Sequence, residues 1–365
     1  MERLLIGILG ASGKVGQVVC NYLVRNTEYV VKAGYRKTIP CHFNERLRWQ
    51  YVDVQDKQKL FEFCKGCKIV INCIGSSRNI ILSLAFIAYK VGAIYIDTYG
   101  TSELKRELIN RNIASSGCYI LGAGVYPGLT GIALNYLVKK YPNIKRWKGM
   151  AGSCEPIAAG AAEDLLYSCL YGFGIENAYW KDGQIKVPKR KKIEEIYIAQ
   201  IQKTKSITLF LPDEILQIAK ENDLEAIRWY NVLPNKEYMT ILKKVYQKLL
   251  QRYDIGKEIQ EFEEITRKST EHWNIISFSS DEEGVGQILV KFEISNTSAY
   301  KMTGIVAALL AIKITRTERK SGIWNAYETI DMQYVLDKLR EEDVSIEEKQ
   351  EVLVDNETSE ETGIL

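Results

Sequence analysis

The fold of this chain is decided near its start by the stretch LLIGILGASGKVG, residues 4–16. The apolar run Leu4–Leu9 predicts a buried strand, and the residues after the turn predict a helix over Gln17–Val24. Between them, Gly10, Gly13 and Gly16 suit a tight turn, a close approach of backbone to ligand, and close packing of helix on strand. Such a turn aims the free N–H groups and positive dipole end of the helix at one point. The stretch therefore predicts a pyrophosphate site in a dinucleotide-binding fold.

Strands and helices go on alternating to about residue 130. Further strands are predicted at residues 29–37, 48–54, 68–75, 93–100 and 118–124, mostly with a helix between one strand and the next. The run Lys68–Gly75 is almost wholly apolar, as expected of a central parallel strand. The alternation indicates an α/β fold, a Rossmann-type doubly wound parallel sheet.

Ligands of such sheets bind at the carboxyl ends of the strands, which places the cofactor-binding residues. We expect them in the first glycine turn, at the ends of the next strands and in a second glycine-rich turn: Gly10, Ala11, Ser12, Gly13, Lys14, Val15, Gly16, Arg36, Lys37, Asp53, Val54, Cys73, Ile74, Gly75 and Gly124.

The end of the second predicted strand bears on which cofactor is bound. An NAD site carries an acidic side chain there for the ribose 2′-hydroxyl, whereas this chain has Arg36 and Lys37. A guanidinium can bind a 2′-phosphate through two parallel hydrogen bonds. NADP(H) is therefore expected in preference to NAD(H), the alternative being two solvated basic residues.

The length, charge and cysteine content of the chain limit which kinds of partner it can bind. The chain has 365 residues, which favours two domains, and a net charge of +3, which gives no strong field for nucleic acid or membrane. We expect a small-molecule partner. Eight cysteines without a disulfide spacing, and no basic-then-apolar leader, lead us to expect a reduced, cytoplasmic protein. The apolar run Ile305–Ile312 is too short to cross a bilayer.

The pattern changes near Arg146, where a second, α+β domain with a mixed, largely antiparallel sheet is predicted. We expect a dinucleotide-binding domain over residues 1–135 and a substrate and dimerisation domain over 136–298. Residues 299–340 should return to the first domain, and the acidic segment 341–365 is expected to be a disordered tail.

Several motifs, in this order, resemble the saccharopine dehydrogenase (saccharopine reductase) family of NAD(P) oxidoreductases. They are the first glycine turn, Val70–Gly75, the Gly92…Tyr95-Ile96-Asp97 pattern, the second glycine turn Gly122–Gly131, and more loosely Gly160–Ser168, Tyr179–Gln184 and Tyr300–Asp331. The resemblance implies an NADPH-dependent oxidoreductase that transfers hydride at a C=N or C–N bond of an amino-acid-derived substrate, and a homodimer. The family often has an acidic residue before the proline of the second glycine turn, where this chain has Tyr126.

Hydride transfer needs little beyond a held cofactor and one handled proton, and a protonated imine needs no general acid. The fold should bring four catalytic candidates, Tyr99, Tyr126, Cys154 and Glu155, over the cleft. Each can equally be a packing or cleft-lining residue. Asp164 is a further candidate for a substrate contact, or a solvated or capping side chain.

Other interpretations stay open. Tyr136 and Lys140 have the Tyr-x-x-x-Lys spacing of short-chain dehydrogenases, and Cys154 with His272 could act as in semialdehyde dehydrogenases. A catalytically silent NADP(H)-sensing regulator is the alternative from a different class.

Remaining motifs have structural explanations. Cys64 and Cys67 fit a helix end, the basic run 189–192 fits a solvated turn, and Cys41-His42 lacks a second ligand pair, so we expect no metal.

Overall fold

The structure is a computed structural model that describes residues 3–40, 44–76, 78–100, 102–168, 170, 173–190, 192–281, 288–317 and 321–352. Its first sheet has seven parallel strands in the order β16-β6-β5-β4-β1-β2-β3. The predicted Rossmann-type sheet is confirmed. The elements of this part of the chain are β1 (Leu5–Leu9), α1 (Lys14–Asn26), β2 (Val30–Tyr35), β3 (Leu47–Tyr51), α2 (Lys57–Cys64), β4 (Ile69–Asn72), α3 (Ile81–Lys90), β5 (Ile94–Asp97), α4 (Ser102–Asn110), β6 (Cys118–Leu121) and α5 (Leu129–Lys140).

Alternate residues of the central strands face two helical layers. Ile6 and Ile8 of β1 pack in the core formed with α1 and α5, whereas Leu9 packs in the core formed with α2, α3 and α4. This period of two is what a strand buried on both faces requires. Both layers leave the carboxyl edge of the sheet to the loops.

A second sheet of ten strands follows, and it is mixed as predicted. Its main path is β10-β9-β13-β7-β14-β15-β17, with β12 beside β13 and with β11 and β8 beside β12. Among the described pairings only β13 with β7 is parallel. The elements are β7 (Arg146–Cys154), α6 (Ala159–Ser168), β8 (Gly174–Glu176), β9 (Tyr179–Lys181), β10 (Gln184–Lys186), β11 (Ile193–Ile198), β12 (Lys203–Pro212), α7 (Asp213–Glu221), β13 (Ala226–Leu233), α8 (Lys236–Leu250), α9 (Gly256–Lys268), β14 (Trp273–Ser280) and β15 (Ile288–Asn296).

The chain then returns to the first sheet. The helix α10 (Ala299–Thr315) is buried along nearly its whole length and packs on α1, where a Cβ at Gly304 would lie 2.5 Å from Val18 Cβ. The elements after it are β16 (Gly322–Asn325), α11 (Ala326–Thr329), α12 (Met332–Arg340) and β17 (Ser345–Val352). One core cluster runs through both sheets, so the domain limits at residues 135 and 298 stay a prediction.

The predicted disorder of the tail is wrong for its first part. Residues Ser345–Val352 form β17, which pairs with β15 along its length. The composition misled because an edge strand can be mostly polar: Ile346 packs on the core, and Glu348 binds side chains of α5. Residues 353–365 lie outside the described residues.

In the part of the chain that the structure describes, no helix has the length and apolar character needed to cross a membrane.

Candidate functional site

The first glycine turn has the geometry of a ligand cradle. Gly10 has a φ of +76°, and a Cβ at Gly16 would lie 2.2 Å from Gly10 O, so neither position accepts a larger residue without movement. Gly13 is the N-cap of α1, and no side chain caps it. The first turn of α1 therefore presents N–H groups and a positive dipole end at the carboxyl edge of the sheet.

Basic side chains flank this cradle at the end of the neighbouring strand. β2 ends at Tyr35, and both Arg36 and Lys37 are exposed directly after it. Beside them, Asp53 follows β3, and its Oδ1 accepts from Gln55 N at 3.1 Å, whereas Val54 is buried. Two basic side chains against one carboxylate leave a net positive charge at this strand end.

The ends of β4 and β5 form the next part of the site. Gly75 is exposed, whereas Cys73 and Ile74 are half-buried, and burial raises the pKa of the Cys73 thiol well above its usual value. Asp97, at the end of β5, is fully buried and accepts from Asn72 Nδ2 at 3.0 Å and Tyr99 N at 2.8 Å. Burial raises the pKa of Asp97. This buried carboxyl group therefore holds the loop between β5 and α4 in place through its hydrogen bond with Tyr99 N.

The second glycine turn precedes α5 and is held by a residue that sequence reasoning missed. The backbone N of Gly128 donates to Glu214 Oε2 at 3.0 Å, and the hydroxyl of Thr130 donates to Glu214 Oε1. A Cβ at Gly131 would lie 2.6 Å from that carboxylate. Burial raises the pKa of Glu214 to about 7. Glu214 belongs to none of the sequence motifs described above, and its partners lie far away along the chain. Within this turn, Gly124 lies close to Thr98 O, where a Cβ would come within 2.7 Å.

Two of the catalytic candidates are tyrosines whose hydroxyl groups bridge the two sheets. The hydroxyl of Tyr126 contacts Gly152 O at 3.0 Å, Ile275 O at 3.1 Å and Asn274 Oδ1, and its burial raises the pKa well above 10. The hydroxyl of Tyr99 donates to Asp164 O at 3.0 Å. Where the family often has an acid, Tyr126 therefore ties the second glycine turn to β7 and β14.

The other two candidates lie at the end of β7. Cys154 is buried with Sγ 3.2 Å from Ser269 Oγ, and burial raises the pKa of its thiol. The Glu155 carboxylate accepts from Ala299 N at 2.7 Å and Ser298 Oγ at 2.8 Å, and burial raises its pKa. Glu155 thus joins the end of β7 to the start of α10.

The remaining candidate motifs lie away from this edge. Tyr136 and Lys140 do meet, Lys140 Nζ donating to Tyr136 OH at 2.8 Å, but both bind Glu348 of β17. They lie at the far end of α5, which at about 1.5 Å per residue is well removed from the glycine turn that begins it. His272 is exposed, unlike the Cys154 thiol.

The cysteine and basic motifs of the sequence are accounted for by their positions in the structure. Cys64 and Cys67 are buried free thiols, and a Cβ at Gly7 of β1 would lie 2.9 Å from Cys67 Sγ. Lys192 pairs with Glu194 at 3.3 Å, and Lys189 and Arg190 are exposed. Cys41 and His42 lie outside the described residues, and within those residues no group of three potential metal ligands occurs.

A narrow cleft of about 280 Å³ opens beside the ends of β4 and β5. It lies between α3 and α4, with α6 of the second sheet region on its other side. Its lining includes Arg78, Asn79, Tyr99, Glu103 and Tyr167.

Comparison with known proteins finds relatives of the region that contains the first sheet. Residues 6–114 match the family model described as the saccharopine dehydrogenase NADP-binding domain. An apo, histidine-tagged saccharopine dehydrogenase (L-Glu forming) from Saccharomyces cerevisiae has the same fold, with a TM-score of 0.64 and 12% identity over 96% of this chain and 100% of that one. The resemblance seen in the sequence is confirmed.

Other solved structures match a smaller share of the chain. A short-chain dehydrogenase/reductase from Veillonella parvula has 16% identity and a TM-score of 0.27, over 33% of this chain and 69% of its own. A uronate dehydrogenase from Agrobacterium tumefaciens has 17% identity and a TM-score of 0.24, over 27% and 42%. No curated protein matches the chain.

Proposed function

We propose that this chain, whose residues 6–114 match the model of the saccharopine dehydrogenase NADP-binding domain, is an NADPH-dependent oxidoreductase that acts on a C=N or C–N bond of an amino-acid-derived substrate. The observation that carries the proposal is the cradle of Gly10, Gly13 and Gly16 in front of α1. A phosphate group suits this place because the glycines carry no side chain that would keep it from the backbone N–H groups and because the helix end is positive.

Preference for NADP(H) over NAD(H) follows from the charge beside the cradle. Arg36 and Lys37 are exposed where the adenine ribose of a dinucleotide lies in this fold, and Asp53 accepts a hydrogen bond from Gln55 N. A 2′-phosphate is attracted to this pair of basic side chains, which outnumber the one carboxylate beside them. Residues 10–16, 36–37, 53–54, 73–75 and 124 are the proposed cofactor contacts.

Bound NADPH supplies a hydride, and the chain supplies position and shielding from water. The substrate is proposed to enter at the cleft beside Tyr99, since the nicotinamide end of a dinucleotide lies over the ends of β4 and β5. Tyr99, Tyr126, Cys154 and Glu155 border this region. Hydride transfer to an imine that is already protonated needs no general acid, so none of these four side chains has to supply a proton.

The test is turnover of NADPH by purified protein with mixtures of keto acids and amines, followed by mass spectrometry of the secondary amines formed. We expect NADPH consumption and new amine together, and neither in a Gly16→Ala variant. Consumption of NADPH without amine formation in every mixture would reject the imine class.

A silent NADP(H)-sensing regulator is the second candidate. It is favoured by the engagement of all four catalytic candidates in contacts within the protein, and by tyrosine in place of the family's frequent acid. Tight NADPH binding without turnover in any mixture would select it. The same proposal includes three further properties. They are a homodimer, tested by analytical ultracentrifugation, a cytoplasmic location, tested by cell fractionation, and a division into two domains, tested by limited proteolysis.

A further inference from the structure

A segment of the second sheet region, Pro156–Asp164, crosses the proposed cofactor edge, and we call it the strap. One end is held at the first glycine turn, where Lys14 Nζ donates to Pro156 O at 2.9 Å and lies 4.6 Å from the centre of the Tyr300 ring. The hydroxyl of Tyr300 also donates to Pro156 O, at 2.9 Å, and accepts from Ala158 N at 3.1 Å. The strap thus begins beside the cradle.

The other end of the strap is held at the loops after β4 and β5. Ser76 N donates to Gly160 O at 3.1 Å and to Asp164 Oδ2 at 3.0 Å, and Ser76 Oγ donates to Glu163 Oε2 at 2.5 Å. Tyr99 donates to the backbone oxygen of Asp164. The backbones of Gly75 and Gly160 touch, because a Cβ at Gly75 would lie 2.7 Å from Gly160 C.

A dinucleotide in this fold runs from the glycine turn to the ends of the fourth and fifth strands. Those are the loops that the strap joins. The backbone N–H of Ser76, at the end proposed for the nicotinamide, is already bonded to two acceptors of the strap. A cofactor cannot pass this end while Gly75 and Gly160 are in contact, since the close packing leaves no width for a ring.

We propose that the strap is a gate, latched at Gly75-Ser76 in the free protein and released when NADPH enters or leaves. The proposal rests on the proposed function, because it assigns the control of access to that same cofactor site. The latched state reduces the apparent affinity by the fraction of molecules that are open, so loosening the latch raises the association rate.

A disulfide can hold the gate shut. Ser76→Cys with Gly160→Cys joins two residues whose backbones share a hydrogen bond, and its formation is checked by mass spectrometry without reductant. Stopped-flow fluorescence with NADPH is then run before and after dithiothreitol. We expect association and dissociation to be slower by about tenfold or more in the oxidised form, and association after reduction to be at least as fast as in the wild type, because the side chain added at position 160 by itself loosens the latch. The Ser76→Cys single variant controls for pairing with the nearby Cys73.

Two glycine variants test the opposite change, a loosened latch instead of a locked one. They test the gate even if the disulfide does not form. Gly75→Ala places a Cβ 2.7 Å from Gly160 C, whereas Gly160→Ala places one 3.1 Å from Gly75 C, so the first loosens the latch more. We expect NADPH association to be fastest in Gly75→Ala, then Gly160→Ala, then wild type.

The outcomes separate the two proposals. Unchanged rates in the oxidised double variant, or in Gly75→Ala, together with normal NADPH affinity in the wild type would overturn the gate alone. No NADPH binding by the wild type would overturn the gate and the proposed function together.

Discussion

Substitution of Gly16 by alanine tests whether close packing of α1 on the first glycine turn is needed to bind the cofactor. The new Cβ would lie 2.2 Å from Gly10 O and 2.6 Å from Ala11 Cα, whereas ordinary contacts begin at 3.4 Å. Helix α1 must therefore move away from the turn by about 1 Å, because a packed interior has no room to absorb the methyl group.

Two free energies decide how this affects stability. Overpacking of this kind costs about 1–3 kcal/mol, and the better helix propensity of alanine returns about 1 kcal/mol. We expect a net loss of roughly 1 kcal/mol in the free energy of unfolding. The effect on binding is larger, since a displacement of about 1 Å at a site can cost about a hundredfold.

The assay is fluorescence titration with NADPH together with urea unfolding of the same preparations. Gly13→Ala is the control for stability. Its Cβ would lie 3.2 Å from Gly10 O, a far smaller overlap than at Gly16, so this variant should obstruct the ligand without loss of stability. Both variants should bind NADPH weakly, and only Gly16→Ala should unfold more easily. The reasoning is refuted if Gly16→Ala binds NADPH as tightly as the wild type.

Two further predictions concern buried carboxylates. The pKa of Glu214 is raised from 4.5 to about 7, so the folded state holds a proton there that the unfolded state releases, and stability should fall as pH rises from about 4.5 through 7. Urea unfolding of wild type and Glu214→Gln across this range checks it, and an equal pH slope in both would contradict the assignment. Glu348→Gln should weaken the bonds from Tyr136 and Lys140 of α5 to β17, because the replaced group is no longer charged. We expect the free energy of unfolding to fall by about 1 kcal/mol and the NADPH affinity to stay unchanged. A large loss of NADPH affinity in this variant would instead favour a site at Tyr136 and Lys140.

Much of the first sheet could be predicted because its signals are local. The strand, turn and helix of residues 4–24 are neighbours in sequence, and the apolar run before Gly75 is a parallel strand in the structure as its composition indicates. These elements also determine the cradle, so the proposed cofactor residues fall on one edge.

The second sheet region was less predictable because its order depends on distant pairing. β13 lies parallel to β7, although residues 155–225 separate the two strands, and no local sequence pattern predicts that register. The polar strand β17 has the composition of a disordered tail and is ordered by β15 and α5. Tertiary partners override local composition in such edge strands.

The same limit applies to the candidate site. Residue type suggested Tyr126, Cys154 and Glu155 for chemistry, but their contacts with Asn274, Ser269 and Ala299 come from parts of the chain far away in sequence. Glu214 belongs to no sequence motif, because its partners Gly128 and Thr130 are far from it along the chain. The bonds between the strap and Ser76 depend on how the two sheet regions meet, which no motif encodes.

The most direct test of the account is the affinity for NADPH relative to NADH, measured by fluorescence titration in wild type and Arg36→Asp. A charge-assisted pair with the 2′-phosphate is worth about 1.5–3 kcal/mol, or roughly ten- to a hundredfold in affinity. We expect the wild type to bind NADPH more tightly by such a factor, Arg36→Asp to lose or reverse the preference, and the exposed control Lys189→Asp to keep it. Equal binding of both cofactors by the wild type, or an unchanged ratio in Arg36→Asp, would contradict the account.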